Sequence, residues 1–259
     1  AELWRWKYRY AHSPGSVVLE GDRPVAFNGA IPRPGWVFGR PEALIQMGDV
    51  MAARDVRGIL TRKGPFFMAV EHYLTSHVGP GHRYSIAFGF PNDRACRVGV
   101  RKGLYCEIDR VSELSWLPCH PVGESNGFGG EVPDPDIVQI TLDNFVECQG
   151  NIERLWCDMR AELSDVAVGC RDSRWLRHRY LDKPEADYSL YYIDTPSCRG
   201  LMILRQLSDS EGGSPEVELM DIVACRASVA GLVVMAQSFA ARVGAVSYTH
   251  LTLPTKRIV

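Results

Sequence analysis

The chain has 259 residues, 46% of them apolar, enough to bury a sizeable core, which excludes an intrinsically disordered chain. Lys and Arg total 29 against 31 Asp and Glu, a formal charge of -2, which argues against an extended electrostatic footprint for nucleic acid or an anionic membrane. No run of about 18 apolar residues occurs and AELWRWKYRY lacks the order of a signal peptide, so a soluble, cytoplasmic chain with neither nucleic acid nor membrane as partner is expected.

Trp4, Trp6, Tyr8 and Tyr10 open the chain as an aromatic cluster, read as core flanking a strand. Ala1 stands where an initiator Met would be, from which a missing upstream segment is expected. Alternating runs over 16–20, 24–31, 35–38 and 43–51, separated by Gly21-Asp22 and Arg33-Pro34-Gly35, predict an antiparallel meander. Phe66, Val70, Tyr73, Leu74 and His77 recur at helical spacing, with Pro65 suited to the first helical position and Gly79-Pro80 to the stop. Residues 84–90 form a short apolar strand. Asn92 or Asp93 caps a second helix running to about Lys102, Gly103 ends it, and 106–116 is a final strand.

Residues 111–153 hold no Lys or Arg, and PVGESNGFGGEVPDPD lies at their heart. The shift predicts a linker over 118–150 between a first domain, 1–117, and a second, 151–245. Beyond it a helix over 151–168, a hairpin from 188–193 and 200–207, a strand over 217–224 and a helix over 227–243 repeat the order of the first half. WLRHRYLDKP, ending at Pro184, also resembles LWRWKYRYAHSP, ending at Pro14, so the two halves are expected to superpose. Residues 246–259 look like a translated sequencing adapter rather than evolved sequence and are set outside the fold as a non-native tail. The eight cysteines stand singly with no CxxC pair, which fits a reducing compartment; Cys119 and His120 are adjacent but lack metal-site spacing, and no metal is expected.

The segment ARDVRGILTRKGPFF gathers Arg54, Arg57, Arg62 and Lys63 with Gly58 and Gly64 between a strand and a helix start. Backbone N–H groups at the positive end of a helix dipole suit a pyrophosphate, while the bland alternative is a solvated basic turn. Neither GxxxxGK[ST] nor GxGxxG is present.

The order hairpin, strand, basic loop, helix, strand, followed by Asn92, Ala95, Gly103 and Leu104 at their spacing, resembles the GCN5-related N-acetyltransferase family. The resemblance covers 1–117, with 171–245 as a degenerate second copy. It implies a mixed α/β, mostly antiparallel, duplicated acyl-CoA N-acyltransferase-like fold and acetyl-CoA as acyl donor. The acceptor would be a small-molecule or peptide amine. Val50, Met51, Arg57, Gly58, Arg62, Lys63, Gly64, Phe66 and Asn92 would hold the cofactor, with Gly64, Phe66 and Phe67 N–H groups as the phosphate cradle and an oxyanion-stabilising N–H near the end of the strand 45–51. The family's Tyr general acid is replaced by Gly99, which leaves Glu20, His72 and Tyr105 as acid–base candidates; Cys96 has no neighbour to activate it. The replaced Tyr also keeps open a non-catalytic CoA-binding or scaffold module, and the tandem order a tRNA-dependent aminoacyl transferase, which the charge balance disfavours.

Overall fold

The computed structural model describes residues 2–9, 14–58, 61–116, 136–185, 188–207, 216–242 and 247–252. In chain order these form α1 (Glu2–Arg9), β1 (Gly15–Glu20), β2 (Arg23–Val37), β3 (Arg40–Ala52), α2 (Pro65–His77), β4 (Ile86–Phe88), α3 (Asp93–Lys102), β5 (Ser112–Trp116) and β6 (Ile137–Ile140). Then come α4 (Phe145–Glu162), β7 (Ala167–Gly169), α5 (Ser173–Leu176) with a π-helical turn at Arg177–Leu181, β8 (Tyr188–Thr195), β9 (Cys198–Leu207), β10 (Glu216–Val223), α6 (Arg226–Arg242) and β11 (Ser247–Thr252). The chain divides into two compact units: Ala1–Asp109 with Val166–Cys170, and Arg110–Asp165 with Arg171–Val259.

In the first unit β1, β2 and β3 make the expected antiparallel meander, and β4 pairs parallel with β3. Strand β2 runs unbroken through Arg33-Pro34-Gly35, where the sequence reading put a turn. Its outer edge takes β1 over its first half and β7 over Gly35–Val37, while β3 covers the other edge from Ala26 to Val37. Pro34 turns its carbonyl to the β7 edge, accepting from the Cys170 N–H at 2.9 Å, so its missing N–H faces that edge and the β3 ladder loses nothing. The reversal comes at Phe38 and Gly39, with φ of 49° and 74°, as a two-residue primed hairpin turn demands. Helix α2 covers one face of this sheet, burying Ala30, Ile45, Tyr73 and Tyr84. The aromatic N-terminal segment, read as flanking a strand, is instead helix α1, whose Trp4 and Tyr8 rings lie 5.8 and 6.4 Å from Phe27.

In the second unit the sheet order is β5-β11-β10-β9-β8-β6. Leu201, Met202, Ile203 and Leu204 of β9 are all buried, so both faces of its central strand are covered. The even members join Leu219, Leu232 and Ala236 beneath α6; the odd ones face the side on which α4 contacts β9. Three earlier expectations change. The strand over 106–116 shrinks to β5, the helix over 151–168 is α4 beginning six residues earlier, and β6 with the start of α4 occupies part of 118–150. The chain also does not leave the fold after Ala245: β11 pairs parallel with β10 from Glu216↔Ser247 to Leu219↔His250 and antiparallel with β5. The remainder of the Gly/Pro-rich stretch, Cys119, His120, and 253–259 lie outside the described residues.

Both sheets contain a three-strand antiparallel meander, a helix, and a strand returning parallel to the meander's third: β1-β2-β3-α2-β4 and β8-β9-β10-α6-β11.

Candidate active site

Parallel strands β3 and β4 pair only over Leu44↔Ile86, Ile45↔Ala87 and Gln46↔Phe88. Beyond Gln46, β3 continues six residues along β2 without β4, so a mouth opens at the carboxyl ends of the pair. Val50, Met51 and Phe90, large apolar residues at these ends, remain exposed.

The basic loop follows. Ala53 N–H donates to Val25 O at 2.8 Å and Arg57 Nε to Ala52 O at 3.0 Å, which ties the loop's start to the sheet. Gly58 has φ of +95°, a conformation costly for any L side chain. Gly64 is the buried N-cap of α2, with Pro65 as its first helical residue. One cradle donor is corrected: the Gly64 N–H is taken by Thr61 O at 2.9 Å. The helix begins its own ladder with Met68 N–H to Gly64 O, so Phe66 and Phe67 N–H have no intrahelical acceptor and Pro65 has no N–H to offer. Arg62 and Lys63 are exposed beside them, the Arg62 guanidinium 5.9 Å from the Phe67 ring centre. Asn92 caps α3, its side chain accepting the Ala95 N–H at 2.9 Å, and Gly103 closes that helix in the left-handed conformation.

The second unit treats the corresponding helix start differently. The first N–H of α6, that of Arg226, donates to the Glu162 carboxylate at 2.7 Å, and the Ser228 N–H to Cys225 O at 3.0 Å. A carboxylate of the chain thus occupies the helix end where an outside anion would sit.

The three acid–base candidates are not brought together: among the described residues no hydrogen bond, ion pair or ring contact links them. Glu20 stands exposed at the end of β1, and His72 lies on the exposed face of α2. Tyr105 lies in no strand; it follows α3, its hydroxyl donates to Ala95 O at 2.8 Å, and burial raises its pKa, with a smaller contribution from Cys96. Its ring fills the space that a side chain at Gly99 would need.

Two residues carry signals the sequence reading missed. In β3 the ladder steps from Gly29↔Gly48 to Phe27↔Met51, leaving Asp49 and Val50 bulged opposite Asn28. Asp49 has φ of +52° and accepts from Lys7 Nζ at 2.5 Å and from the Tyr8 hydroxyl. Burial pushes its carboxyl up, but the hydrogen bonds from Lys7 and Tyr8 outweigh this and hold it below the ordinary carboxylate value. Asn28 is fully buried, and among the described residues neither its Nδ2 nor its Oδ1 has a hydrogen-bond partner. A bond between a helix residue and a strand residue 41 positions apart leaves no periodic trace, so only the structure pairs Tyr8 with Asp49. Two concavities of the second unit, of about 140 and 600 Å³, share Leu155, Asp158, Asp194 and Arg199 in their walls. Arg199 is already engaged there by Asp194 at 2.8 Å.

At the level of sequence, no family model and no curated protein matches the chain. Solved structures do. A GCN5-related N-acetyltransferase from Kribbella flavida is 17% identical with a TM-score of 0.54, covering 93% of this chain and 53% of its own. A conserved protein of unknown function from Enterococcus faecalis, described as a probable N-acyltransferase, is 12% identical with a TM-score of 0.66, covering 96% and 57%. A Saccharomyces cerevisiae N-myristoyltransferase with bound myristoyl-CoA is 10% identical with a TM-score of 0.50, covering 98% and 64%. The chain therefore spans little more than half the length of the first two. With its meander, basic loop, helix and parting parallel strands, it has the fold of the GCN5-related N-acetyltransferases.

Proposed function

We propose that the chain is an N-acyltransferase that moves an acetyl or longer acyl group from acyl-CoA to an amine, and that the first unit alone binds the donor. The observation that carries this reading is the contrast between two helix starts. That of α2 offers the Phe66 and Phe67 N–H groups beside Arg62 and Lys63, whereas that of α6 is filled by Glu162. The pyrophosphate would rest on the loop and α2, with the thioester arm running past Val50 and Met51 into the mouth between β3 and β4. The amine nitrogen, once it is the free base, attacks the thioester carbonyl; the C–N bond forms, the C–S bond breaks, a backbone N–H at the end of β3 stabilises the oxyanion, and the proton that the nitrogen gives up on forming the amide ends on the leaving thiolate. The equal strand orders favour the reading that the second unit is a copy of the first kept for structure. A cytoplasmic setting suits a CoA donor and seven described cysteines that stand outside any disulfide.

The test is release of CoA thiol from acetyl-CoA across a panel of amines. Turnover with any acceptor supports the enzyme; tight acetyl-CoA binding without turnover favours a non-catalytic CoA-binding module. The double variant Arg62→Glu, Lys63→Glu is expected to raise the acetyl-CoA dissociation constant at least about tenfold, because charge-assisted phosphate bonds contribute about 1.5–3 kcal/mol each. Unchanged affinity in calorimetry rules out the loop as the phosphate site.

A further inference from the structure

The bulge in β3 has a counterpart. In β10 the ladder to β9 slips between Leu219 and Asp221, and Asp221 accepts from Arg171 Nε at 2.8 Å and from the Tyr180 hydroxyl at 3.1 Å. In each unit a tyrosine from the helix ahead of the meander reaches a bulge aspartate 41 residues later, and in each a cation shares that carboxylate. The Tyr–Asp pair is common to both; the cation and its surroundings differ.

In the second unit the cation is a guanidinium, and the Arg171 and Asp221 side chains are only 17% and 14% exposed. Such a pair is fixed, since parting it strands a charge away from water. In the first unit the cation is a primary ammonium on a flexible stem, and Lys7 and Asp49 remain 30% and 28% exposed. A compact, partly exposed ammonium exchanges readily for another of its kind. Asp49 also stands three positions beyond the last β3–β4 pair, at the mouth, with the exposed Val50 and Met51 directly after it.

We infer that Asp49 is the docking point for the protonated amine of an acceptor, and that Lys7 occupies it as an internal stand-in which the incoming ammonium displaces. Tyr8 is a positioning residue that keeps the carboxylate turned toward the amine. The acceptor class is then a primary alkylammonium, the group a lysine side chain itself presents. The inference rests on the reading of the first unit as an amine acyltransferase, but its test needs no acyl transfer.

The probe is 1,4-diaminobutane titrated into the full chain and followed by NMR, with 1,4-butanediol as the uncharged control. Lys7→Met is expected to tighten diamine binding by about fivefold, the measure of a partly exposed ion pair removed as competitor. Asp49→Asn is expected to weaken it at least about tenfold, and the diol to show no saturable binding. Unchanged or weaker binding in Lys7→Met overturns the inference, as does undiminished binding in a folded Asp49→Asn. Should Asp49→Asn not fold, Lys7→Met decides alone, because it leaves the carboxylate and Tyr8 in being. Diamine bound as expected but never acetylated in the presence of acetyl-CoA would count against the transferase and leave the docking point standing; acetylation of amines without these shifts would do the reverse.

Discussion

Asn28 places two polar atoms in the core of the first unit with no hydrogen-bonding group among the described residues to meet them. Each such atom costs about 1–3 kcal/mol relative to a satisfied one. Asn28→Val, smaller in polarity and close in size, is therefore expected to raise the unfolding free energy by about 1–2 kcal/mol in urea titration. Acyl transfer should fall if the amide serves the neighbouring bulge, the usual trade where a functional residue breaks a packing rule. Asp49 gives a second test. Its folded-state pKa is lowered, so its contribution to stability is present above the ordinary carboxylate value of about 3.9 and is lost as pH falls through the folded value. Melting curves of Asp49→Asn should lack that acid-side loss; an unchanged slope would show that the Lys7 and Tyr8 contacts do not hold in solution. Neither residue was legible beforehand, because a bulge is a mismatch between two strands and cannot be seen in either alone. Gly99 was legible only as a missing tyrosine; Tyr105 packing over it supplies the physical reason for the glycine.

Helix ends were the most legible elements. Pro65, Asn92 and Gly103 each act through their own backbone or nearest neighbours, and each stands where its local chemistry put it. Strand β2 was not legible, since Pro32 and Pro34 signal a break unless the edge they face is known to lack a ladder there. The true turn used Phe38, which pattern reading would not choose, because a β-branched or aromatic residue at positive φ is disfavoured. Phe38→Asn should accordingly stabilise the hairpin by about 0.5–1 kcal/mol, measured as a shift in the urea midpoint at constant slope. A loss of stability would mean that the half-exposed ring makes contacts worth more than the turn strain.

At the scale of the whole chain, the repeated order of elements was visible in turn signals and in the two Trp/Tyr/Pro segments, while the position of every crossing between units was not. Strand β11 belongs to that second class: its likeness to a translated sequencing adapter set it outside the fold, yet its backbone completes the ladder between β5 and β10. Truncation after Ala245 is therefore expected to speed amide hydrogen exchange at Ser112–Trp116 and along Glu216–Leu219. Exchange left unaltered at both strands would return the tail to the status of an appendage.

Strand β7 has a consequence for how the molecule is made. Its three residues belong to the first unit, yet they lie between two stretches of the second, so the outer edge of β2 over Gly35–Val37 finds its partner only after Ala167–Gly169 has left the ribosome. Until then the nascent first unit carries an open strand edge, the kind of surface that recruits other chains. Any expression scheme that cuts the polypeptide within 117–135 would make that exposure permanent, whereas adding the segment 166–170 back as a peptide should protect the edge and restore solubility.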